Sequence, residues 1–234
     1  MPDPVRRRTV GPAGGATGAL PGSEGGGVVF ARSTTVQAQP ESIDDGIAHL
    51  RDTVLPQLQE IDGFIGLSLL VDRESGRCIA ASAWQSEDAM RASADQLRTV
   101  RERAAEIFGG SLQIDEWEIA VLHRDHTSRP GAWVRATWVR GDPARLDQAI
   151  DVYKMALLPA LEEFDGFCSA SLLVNRGSGL GVSSVTFDSR EALDGSRDRG
   201  TTLRESISRD AGVEVMEVRE FELALAHLRV PELA

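Results

Sequence analysis

Histidine and cysteine are scarce in this sequence, and they are the side chains best suited to ligate a transition metal or to exchange a proton near neutral pH. The chain of 234 residues has two cysteines, Cys78 and Cys168, and four histidines. The histidines are His49, His123, His126 and His227. Their separations from one another and from the cysteines match no usual zinc-ligand spacing, so the pattern predicts no metal site. Both cysteines are interpreted as reduced, partly buried small residues.

His123 and His227 occupy the same position in two related segments, at the end of the last predicted strand. One interpretation is a polar residue that is satisfied by solvent or by the backbone. The other is a general base at the mouth of a pocket, because histidine exchanges a proton near neutral pH. His123 is therefore a candidate catalytic residue.

The two related segments are copies of one sequence. Residues 55–64 read LPQLQEIDGF, and residues 158–167 read LPALEEFDGF. At the same offset Arg32 corresponds to Arg135, and Arg101 corresponds to Arg204. Solenoid repeats have periods of only ~20–50 residues, so a repeat of this length is a duplicated domain.

The duplication predicts the domain boundaries. Copy one spans residues 28–123, copy two spans 132–227, and the polar linker 124–131 between them ends in Pro-Gly. Residues 1–27 are rich in glycine and have too few apolar residues to offset backbone entropy, so they are predicted to be a disordered tail. Residues 228–234 remain as a short C-terminal tail.

Hydrophobic periodicity predicts the order β-α-β-β-α-β in each copy, which is the ferredoxin-like unit. In copy one the strands are 28–36, 64–72, 77–84 and 112–122, and the helices run from Pro40 to Ile61 and from the capping Ser86 to the terminating Gly109. In copy two the strands are 132–139, 167–175, 181–187 and 213–226, and the helices are 144–164 and 189–211.

Helix-breaking residues lie inside three of these helices. Pro56 and Pro159 are predicted to kink the first helix of each copy at the same place, because proline removes a helical hydrogen bond. Gly195 and Gly200 are predicted to bend the second helix of copy two, since each costs roughly 1 kcal/mol relative to alanine.

Two phrases of copy one carry a family resemblance. Asp62-Gly63-Phe64-Ile65-Gly66 follows the first helix, and Trp84-Gln85-Ser86-Glu87-Asp88-Ala89 follows the hairpin. Together with the element order, they resemble the antibiotic biosynthesis monooxygenase (ABM) family of the dimeric α+β barrel superfamily. The resemblance covers both copies, from about residue 28 to about residue 227.

The resemblance implies an α+β fold of two tandem ferredoxin-like (βαββαβ) domains. In that superfamily two such sheets pair into one barrel with the helices outside. Here both halves lie in one chain, so an intrachain pseudo-dimer is expected, and with it a monomer in solution.

The resemblance also implies a chemistry. Members of the cofactor-independent type oxygenate electron-rich polyketide phenols, which requires binding an apolar aromatic, stabilising a phenolate and excluding water. Trp84 would supply an aromatic wall and Arg32 a partner for the oxyanion, with Phe64 and Met90 as further ligand-binding residues. The structural alternatives are a core position for Trp84 and a salt bridge for Arg32 and its counterpart Arg135.

Departures from the family pattern restrict the expected site and its cofactors. Copy one is expected to hold the working pocket, because copy two has Phe187 in place of Trp84 and Ser169 in place of the second glycine of the first phrase. The haem-degrading branch of the family adds an asparagine on the first strand and a histidine on the second helix. The first strand has no asparagine, and residues 90–97 contain no histidine. No haem, flavin or other cofactor is expected.

Charge and hydropathy argue against two classes of partner. The net charge of −11 argues against nucleic acid and anionic membrane surfaces. No apolar run approaches the roughly 20 residues of a membrane helix. Arg6-Arg7-Arg8 is not followed by the apolar region of an export signal, so a cytoplasmic location is expected.

The expected function is to bind a small apolar aromatic compound of quinone or polyketide type in copy one, and in the enzymatic case to oxygenate it without a cofactor. The alternative belongs to another class of protein. It is a non-catalytic ligand-sensing or interaction module whose pockets are filled by side chains.

Overall fold

A computed structural model describes residues 28–234, so the predicted disordered tail at 1–27 lies outside the described residues. The strands of copy one are β1 Val29–Gln37, β2 Phe64–Val71, β3 Arg77–Trp84 and β4 Leu112–Arg124, and its helices are α1 Ile43–His49, α2 Leu55–Gln59, α3 Glu87–Gln96 and α4 Arg98–Phe108. The strands of copy two are β5 Trp133–Arg140, β6 Phe167–Asn175, β7 Leu180–Phe187 and β8 Glu214–Leu228, and its helices are α5 Leu146–Val152, α6 Leu158–Leu161, α7 Arg190–Gly195 and α8 Arg197–Ala211.

The eight strands form one closed antiparallel barrel. Within copy one the spatial order is β4-β1-β3-β2, and within copy two it is β8-β5-β7-β6. The barrel closes where β2 pairs with β8 and β4 pairs with β6. The predicted fold class, two ferredoxin-like units joined into a pseudo-dimeric α+β barrel, is confirmed.

Equivalent contacts join the copies at both seams. The arginine in the hairpin turn of each copy pairs with a glutamate on the last strand of the other copy. Nε of Arg73 lies 2.8 Å from Glu222, and Nε of Arg176 lies 2.5 Å from Glu118. These matched pairs follow the pseudo-two-fold relationship that the repeat predicts.

Alternation along each strand sends side chains to two different interiors. On β1, Ala31 and Ser33 border a cavity inside the barrel. Arg32 and Thr34 instead border a cavity between the sheet and the helices. Each copy therefore has its own core under the helices, and the two copies share a third core inside the barrel.

The first helix of each copy widens into a π-helical segment just before its proline. These segments are Leu50–Val54 and Tyr153–Leu157. At the end of each, a backbone N–H donates to the carbonyl five residues earlier, from Leu55 to Leu50 and from Leu158 to Tyr153. The sequence predicted an irregularity at the same place in both copies. Its form is a single π-helical turn just before the proline, which interrupts the i to i−4 hydrogen bonds of the helix.

The second helix is divided in both copies. Ser86 caps it in copy one as expected, and Ser189 caps it in copy two, each side chain accepting from the N–H three residues later. Copy one breaks at Leu97, where there is no glycine, while in copy two Gly200 lies within α8. The predicted bend of copy two does occur, directly after Gly195, but the division of copy one shows that such a break does not require a glycine. Within residues 28–234, no helix is long and apolar enough to cross a bilayer.

Candidate functional site

Each copy encloses an apolar cavity between its sheet and its helices. The cavity volume is about 110 Å³ in copy two and about 70 Å³ in copy one. For comparison, a dry protein cavity of roughly 150 Å³ lined by apolar side chains binds benzene. The cavity of copy two therefore has space for about one aromatic ring, and larger ligands require the helices to move.

Two residue differences explain why copy two has the larger cavity. Phe108 projects into the cavity of copy one, where copy two has Ala211. Leu97 also lines the cavity of copy one, and its counterpart in copy two is Gly200. Copy two therefore leaves open the space that these two side chains fill in copy one.

A buried arginine lies at one end of each cavity. In copy two, Arg135 donates to Glu220 Oε1 at 2.9 Å, to Ser196 Oγ at 2.8 Å and to the carbonyl of Leu193 at 2.9 Å. These bonds tie strand β5 to strand β8, to helix α7 and to the turn that follows α7. The guanidinium is thus held in place by the protein itself.

Arg32 repeats this arrangement in copy one. It donates to Glu116 Oε1 at 2.7 Å, to Ser93 Oγ at 3.1 Å and to the carbonyl of Met90 at 2.8 Å. Arg32 borders the cavity, as a ligand-binding residue would. Its donors are nevertheless engaged in the salt bridge and hydrogen bonds that the structural alternative predicted.

A second arginine borders each cavity and is less completely paired. In copy two, Arg204 donates to Thr201 Oγ1 at 3.2 Å, and no carboxylate among residues 28–234 forms a salt bridge with it. In copy one, Arg101 donates to the carbonyl of Ala94, while its Nη1 is buried without a partner among the described residues. Burial, followed by the nearby charge of Arg135 or Arg32, lowers the pKa of both guanidinium groups.

Sequence reasoning did not identify Arg101 and Arg204 as site residues. The available signal was that both copies have arginine at this position of the second helix. That signal alone does not say which way the side chain points. Tyr153 was also missed: it is buried beside the cavity of copy two, with its hydroxyl 3.1 Å from the carbonyl of Ser171 and from Ser183 Oγ. Burial raises the pKa of this phenol.

Three other candidates pack together in the core of copy one. Trp84 is fully buried, meets the Phe64 ring edge-on at 5.7 Å and donates from Nε1 to Ser82 Oγ at 3.0 Å. Met90 is buried in the same cluster. None of Trp84, Phe64 and Met90 borders the cavity of copy one. In copy two the counterpart of Trp84, Phe187, does border the cavity, next to Arg135.

His123 lies apart from these cavities. Its ring is 2.7 Å from Glu162 and 2.8 Å from Glu232, on opposite nitrogen atoms, and it stacks on Phe167. It borders none of the three interior cavities of residues 28–234. The structure therefore does not bring His123 together with Arg32 and Trp84.

The cavity inside the barrel is the largest of the three interior spaces, at about 180 Å³. Its wall is partly polar: Trp117 donates from Nε1 to Ser33 Oγ at 2.9 Å, and Arg77 stacks on Trp138 at 4.6 Å. Both copies contribute to this wall, so any ligand inside the barrel would contact the two halves of the chain.

One histidine does lie beside a cysteine, contrary to what sequence spacing indicated. His126 Nε2 is 3.3 Å from Cys168 Sγ, and Asp188 Oδ1 lies within hydrogen-bond distance of both atoms. Burial, followed by the hydrogen bond to Asp188, raises the pKa of the Cys168 thiol to about 12. Hydrogen bonds to Asp125 and Asp188 raise the pKa of His126. Spacing missed this group because its members lie on three different strand ends.

Comparison with known sequences finds close relatives. No family model matches this chain. The uncharacterized protein Rv2557 of Mycobacterium tuberculosis is 59% identical over 221 residues, which cover 94% of this chain and 99% of that protein. The uncharacterized protein Rv2558 of the same organism is 56% identical over 228 residues, which cover 97% of each chain.

Solved structures share the fold at low sequence identity. A provisionally assigned monooxygenase from Fusobacterium nucleatum superposes with a TM-score of 0.66 at 10% identity, over 87% of this chain and 95% of that one. An anthrone oxidase-like protein superposes with a TM-score of 0.62 at 16% identity, over 88% and 95%. The resemblance to ABM-like proteins is thereby confirmed at the level of the fold.

Proposed function

The chain belongs to the family of the mycobacterial proteins Rv2557 and Rv2558, and we propose that it binds a small aromatic compound with an acidic oxygen in the cavity of copy two. The observation that carries the proposal is Arg204. Its guanidinium borders an apolar cavity and has no carboxylate partner among the described residues. An anionic ligand would supply that partner.

The wall of the cavity suits an aromatic body. Phe164, Phe187 and Tyr153 lie among aliphatic side chains around it. Apolar ligand pockets typically combine such a wall with a few polar groups that fix orientation. The volume of about 110 Å³ limits the buried part to about one ring.

The charge on Arg204 selects for an anion. Burial and the nearby charge of Arg135 both disfavour the positive charge of the Arg204 guanidinium. A carboxylate or phenolate placed against Arg204 would offset that repulsion and accept a charge-assisted hydrogen bond. Arg204 also borders a surface groove, with Arg197 and Glu220, so it lies at the mouth of the cavity.

The lining of the cavity favours binding over base catalysis. Among its described lining residues there is no histidine, aspartate, glutamate or lysine, and the pKa of Tyr153 is raised. No group there is suited to remove a proton near pH 7. Cofactor-free oxygenation is the enzymatic form of the proposal, and it requires a substrate that already carries its negative charge. The non-catalytic alternative is a ligand sensor that uses the same cavity.

The choice of copy two differs from the expectation of a site in copy one. Trp84 was the reason for preferring copy one, but it lies outside the cavity lining there. The cavity of copy two is the larger, and Phe187 and Arg135 both border it. The geometry of the two copies thus supports placing the ligand in copy two.

Binding of 4-nitrophenolate tests the proposal, with nitrobenzene as the neutral probe of similar shape. We expect Arg204→Met to weaken 4-nitrophenolate binding about 10- to 100-fold, the equivalent of one charge-assisted hydrogen bond of roughly 1.5–3 kcal/mol. Gly200→Leu should abolish binding, because it places in copy two the side chain that narrows copy one at Leu97. Calorimetry and the absorbance of the probe both report the affinity.

The matched controls lie in copy one. Arg101→Met and Leu97→Gly change the equivalent positions there and should leave the affinity of the copy-two site unchanged. Equal binding of nitrobenzene and 4-nitrophenolate would contradict the role of Arg204. A loss of affinity in Arg101→Met but not in Arg204→Met would assign the ligand to copy one. Oxygen uptake with hydroquinones and polyketide phenols, without added cofactor, separates the enzyme from the sensor.

A further inference from the structure

The group His126, Cys168 and Asp188 lies at one end of the barrel, where three neighbouring strands begin or end. His126 follows β4, Cys168 is near the start of β6, and Asp188 follows β7. In the sheet β6 pairs with both β4 and β7. The strand order therefore brings together three side chains that are far apart in the sequence.

The three ligand-type atoms form a compact triangle. Cys168 Sγ is 3.3 Å from His126 Nε2 and 3.1 Å from Asp188 Oδ1, and the nitrogen is 2.9 Å from the same oxygen. One tetrahedral face around a zinc ion, with thiolate, imidazole and carboxylate ligands, has edges of about 3.3–3.6 Å. The edges of the observed triangle need to lengthen by only a few tenths of an ångström to match.

A fourth residue orients the histidine. Asp125 Oδ2 lies 2.8 Å from Nδ1 of His126, which leaves Nε2 directed at the other two side chains. A carboxylate on the far nitrogen is the usual outer support of a metal-bound histidine, where it fixes the ring and raises its basicity. The backbone holds this arrangement, because the N–H groups of Asp125 and His126 both donate to the carbonyl of Cys168.

A local irregularity of β6 directs the cysteine. Phe167 pairs with Phe187 and Ser169 pairs with Thr186, so Cys168 is the extra residue at a register shift. Bulged residues of this kind change the direction of a side chain and often lie beside functional sites. Cys168 is buried, whereas the side chains of His126 and Asp188 are 36% and 42% exposed. The triangle is therefore reachable from solvent, which can supply water as a fourth ligand.

The pseudo-symmetric place in copy one lacks the group. Cys168 corresponds to Ile65, Asp188 corresponds to Gln85, and His126 corresponds to Val230. The backbone is nevertheless the same there: the N–H of Arg229 donates to the carbonyl of Ile65 at 2.9 Å, as that of Asp125 does to Cys168. The fold alone does not require polar side chains at this position.

From this geometry we propose that His126, Cys168 and Asp188 bind one zinc ion, with Asp125 positioning His126. Thiolate, imidazole and carboxylate together suit Zn²⁺, and three protein ligands with water in the fourth position is the arrangement of catalytic zinc sites, in contrast to closed structural sites. A nucleophilic thiolate is the other chemistry of a cysteine beside a histidine. The sulfur is buried and lies 3.1 Å from Asp188 Oδ1, so this geometry favours shared ligation of a cation over attack on a substrate.

Cobalt titration of the full chain, stripped of metal with a chelator, tests the site. One equivalent of Co²⁺ should produce a thiolate-to-cobalt charge-transfer band, and Zn²⁺ should displace it. Cys168→Ser should remove the band, while the matched variant Cys78→Ser should keep it. Asp125→Asn should keep the band and weaken zinc affinity about 10- to 100-fold, the usual effect of losing an outer-shell partner.

Asp188→Asn is a second test variant that should remain folded, because the Asp188 side chain is partly exposed and asparagine has nearly the same shape. It should weaken zinc binding while leaving the thermal midpoint of the metal-free chain unchanged. Absence of a charge-transfer band in the unmodified chain would overturn the proposal. So would a band that survives Cys168→Ser, or zinc affinity that is equal in Asp188→Asn and the unmodified chain.

Discussion

Gly46 and Phe108 are in such close contact that a Cβ atom on Gly46 would lie 2.3 Å from Cε1 of the Phe108 ring. The counterparts of this pair in copy two are Ala149 and Ala211. A large ring facing a glycine in one copy thus corresponds to two alanines in the other. The exchange preserves helix packing while changing the volume of the cavity beneath it.

Replacing both members of the pair should cost less than the sum of the single changes. Gly46→Ala displaces the ring, a strain of roughly 1–3 kcal/mol, partly offset by about 1 kcal/mol of helix propensity. Phe108→Ala should cost about 3–5 kcal/mol by forming a cavity. In the double variant the new methyl group has space, so urea unfolding should show favourable coupling. Simple additivity would contradict the contact.

Trp84 should behave as a core residue. Trp84→Phe places in copy one the residue that copy two has at position 187. The variant loses part of the side-chain volume and the hydrogen bond to Ser82, so the free energy of unfolding should fall by about 1–2 kcal/mol. Trp84→Ala should cost about 3–5 kcal/mol. Neither should change 4-nitrophenolate affinity in chains that remain folded. A large loss of affinity in Trp84→Phe at unchanged stability would restore Trp84 as a ligand-binding residue.

Arg32 should stabilise the fold because its planar guanidinium reaches three hydrogen-bond acceptors at once, and not through its charge alone. Arg32→Met leaves Glu116 partly exposed to water, so the main loss is the buried bonds to Ser93 and to the Met90 carbonyl, about 1–3 kcal/mol. Arg32→Lys should restore little of that loss, because one ammonium cannot reach all three acceptors. Chemical denaturation measures both variants, and full rescue by lysine would refute the geometric role.

Acid should weaken the contact between the copies. Glu217 on β8 lies 2.8 Å from Arg77 on β3. Burial alone would raise the pKa of Glu217, but hydrogen bonds from Arg219 and Arg77 outweigh it and hold the pKa below its ordinary value of 4.5. A depressed carboxyl pKa stabilises the fold at pH values above the unfolded-state pKa, and this contribution is lost as pH falls through the folded-state pKa.

Thermal midpoints measured from pH 7 down to acid should show this loss. Glu217→Gln should reduce the pH dependence, whereas Glu214→Gln, at an exposed position near the start of the same strand, should not. An unchanged slope in Glu217→Gln would assign the acid sensitivity to other carboxylates.

The internal barrel closure also leads to a prediction about assembly. A barrel made of two separate subunits would need dimerisation to form its seams, whereas here β2·β8 and β4·β6 complete it within one chain. Light scattering should therefore give a mass near the 25.2 kDa of one chain. A mass of twice that value would show that a further surface associates.

The sequence predicted the elements well because their signals are local. Alternating apolar residues, the capping Ser86 and the repeated D-G-F phrase each act within a few residues of where they occur. The cavities could not be predicted in the same way. Their sizes depend on which side chains meet across a helix pair, Phe108 against Gly46 in copy one and Ala211 against Ala149 in copy two, and only the packed structure shows that these positions meet.

The candidate site residues likewise divide into those that the sequence identified and those whose position depends on the packed structure. Arg32 and its counterpart Arg135 were identified as cations at the same position of the first strand of each copy, and the structure places both at a cavity. Arg204 was missed because the direction of α8 depends on the break after Gly195. His126 and Cys168 are 42 positions apart and meet only through the pairing of β4 with β6. Chemistry that depends on strand order is not visible in sequence spacing.

Closing the barrel within one polypeptide also changes what a single mutation does. In a homodimer every substitution appears twice, so each must be tolerated on both sides of the two-fold axis. In this chain a change at Phe108 does not change its counterpart Ala211. Likewise, the cysteine at position 168 has no cysteine as its counterpart, because position 65 is isoleucine. One half can therefore keep the barrel stable while the other acquires a wider cavity or new ligands. The pseudo-dimer is a scaffold on which two sites can diverge under separate selection.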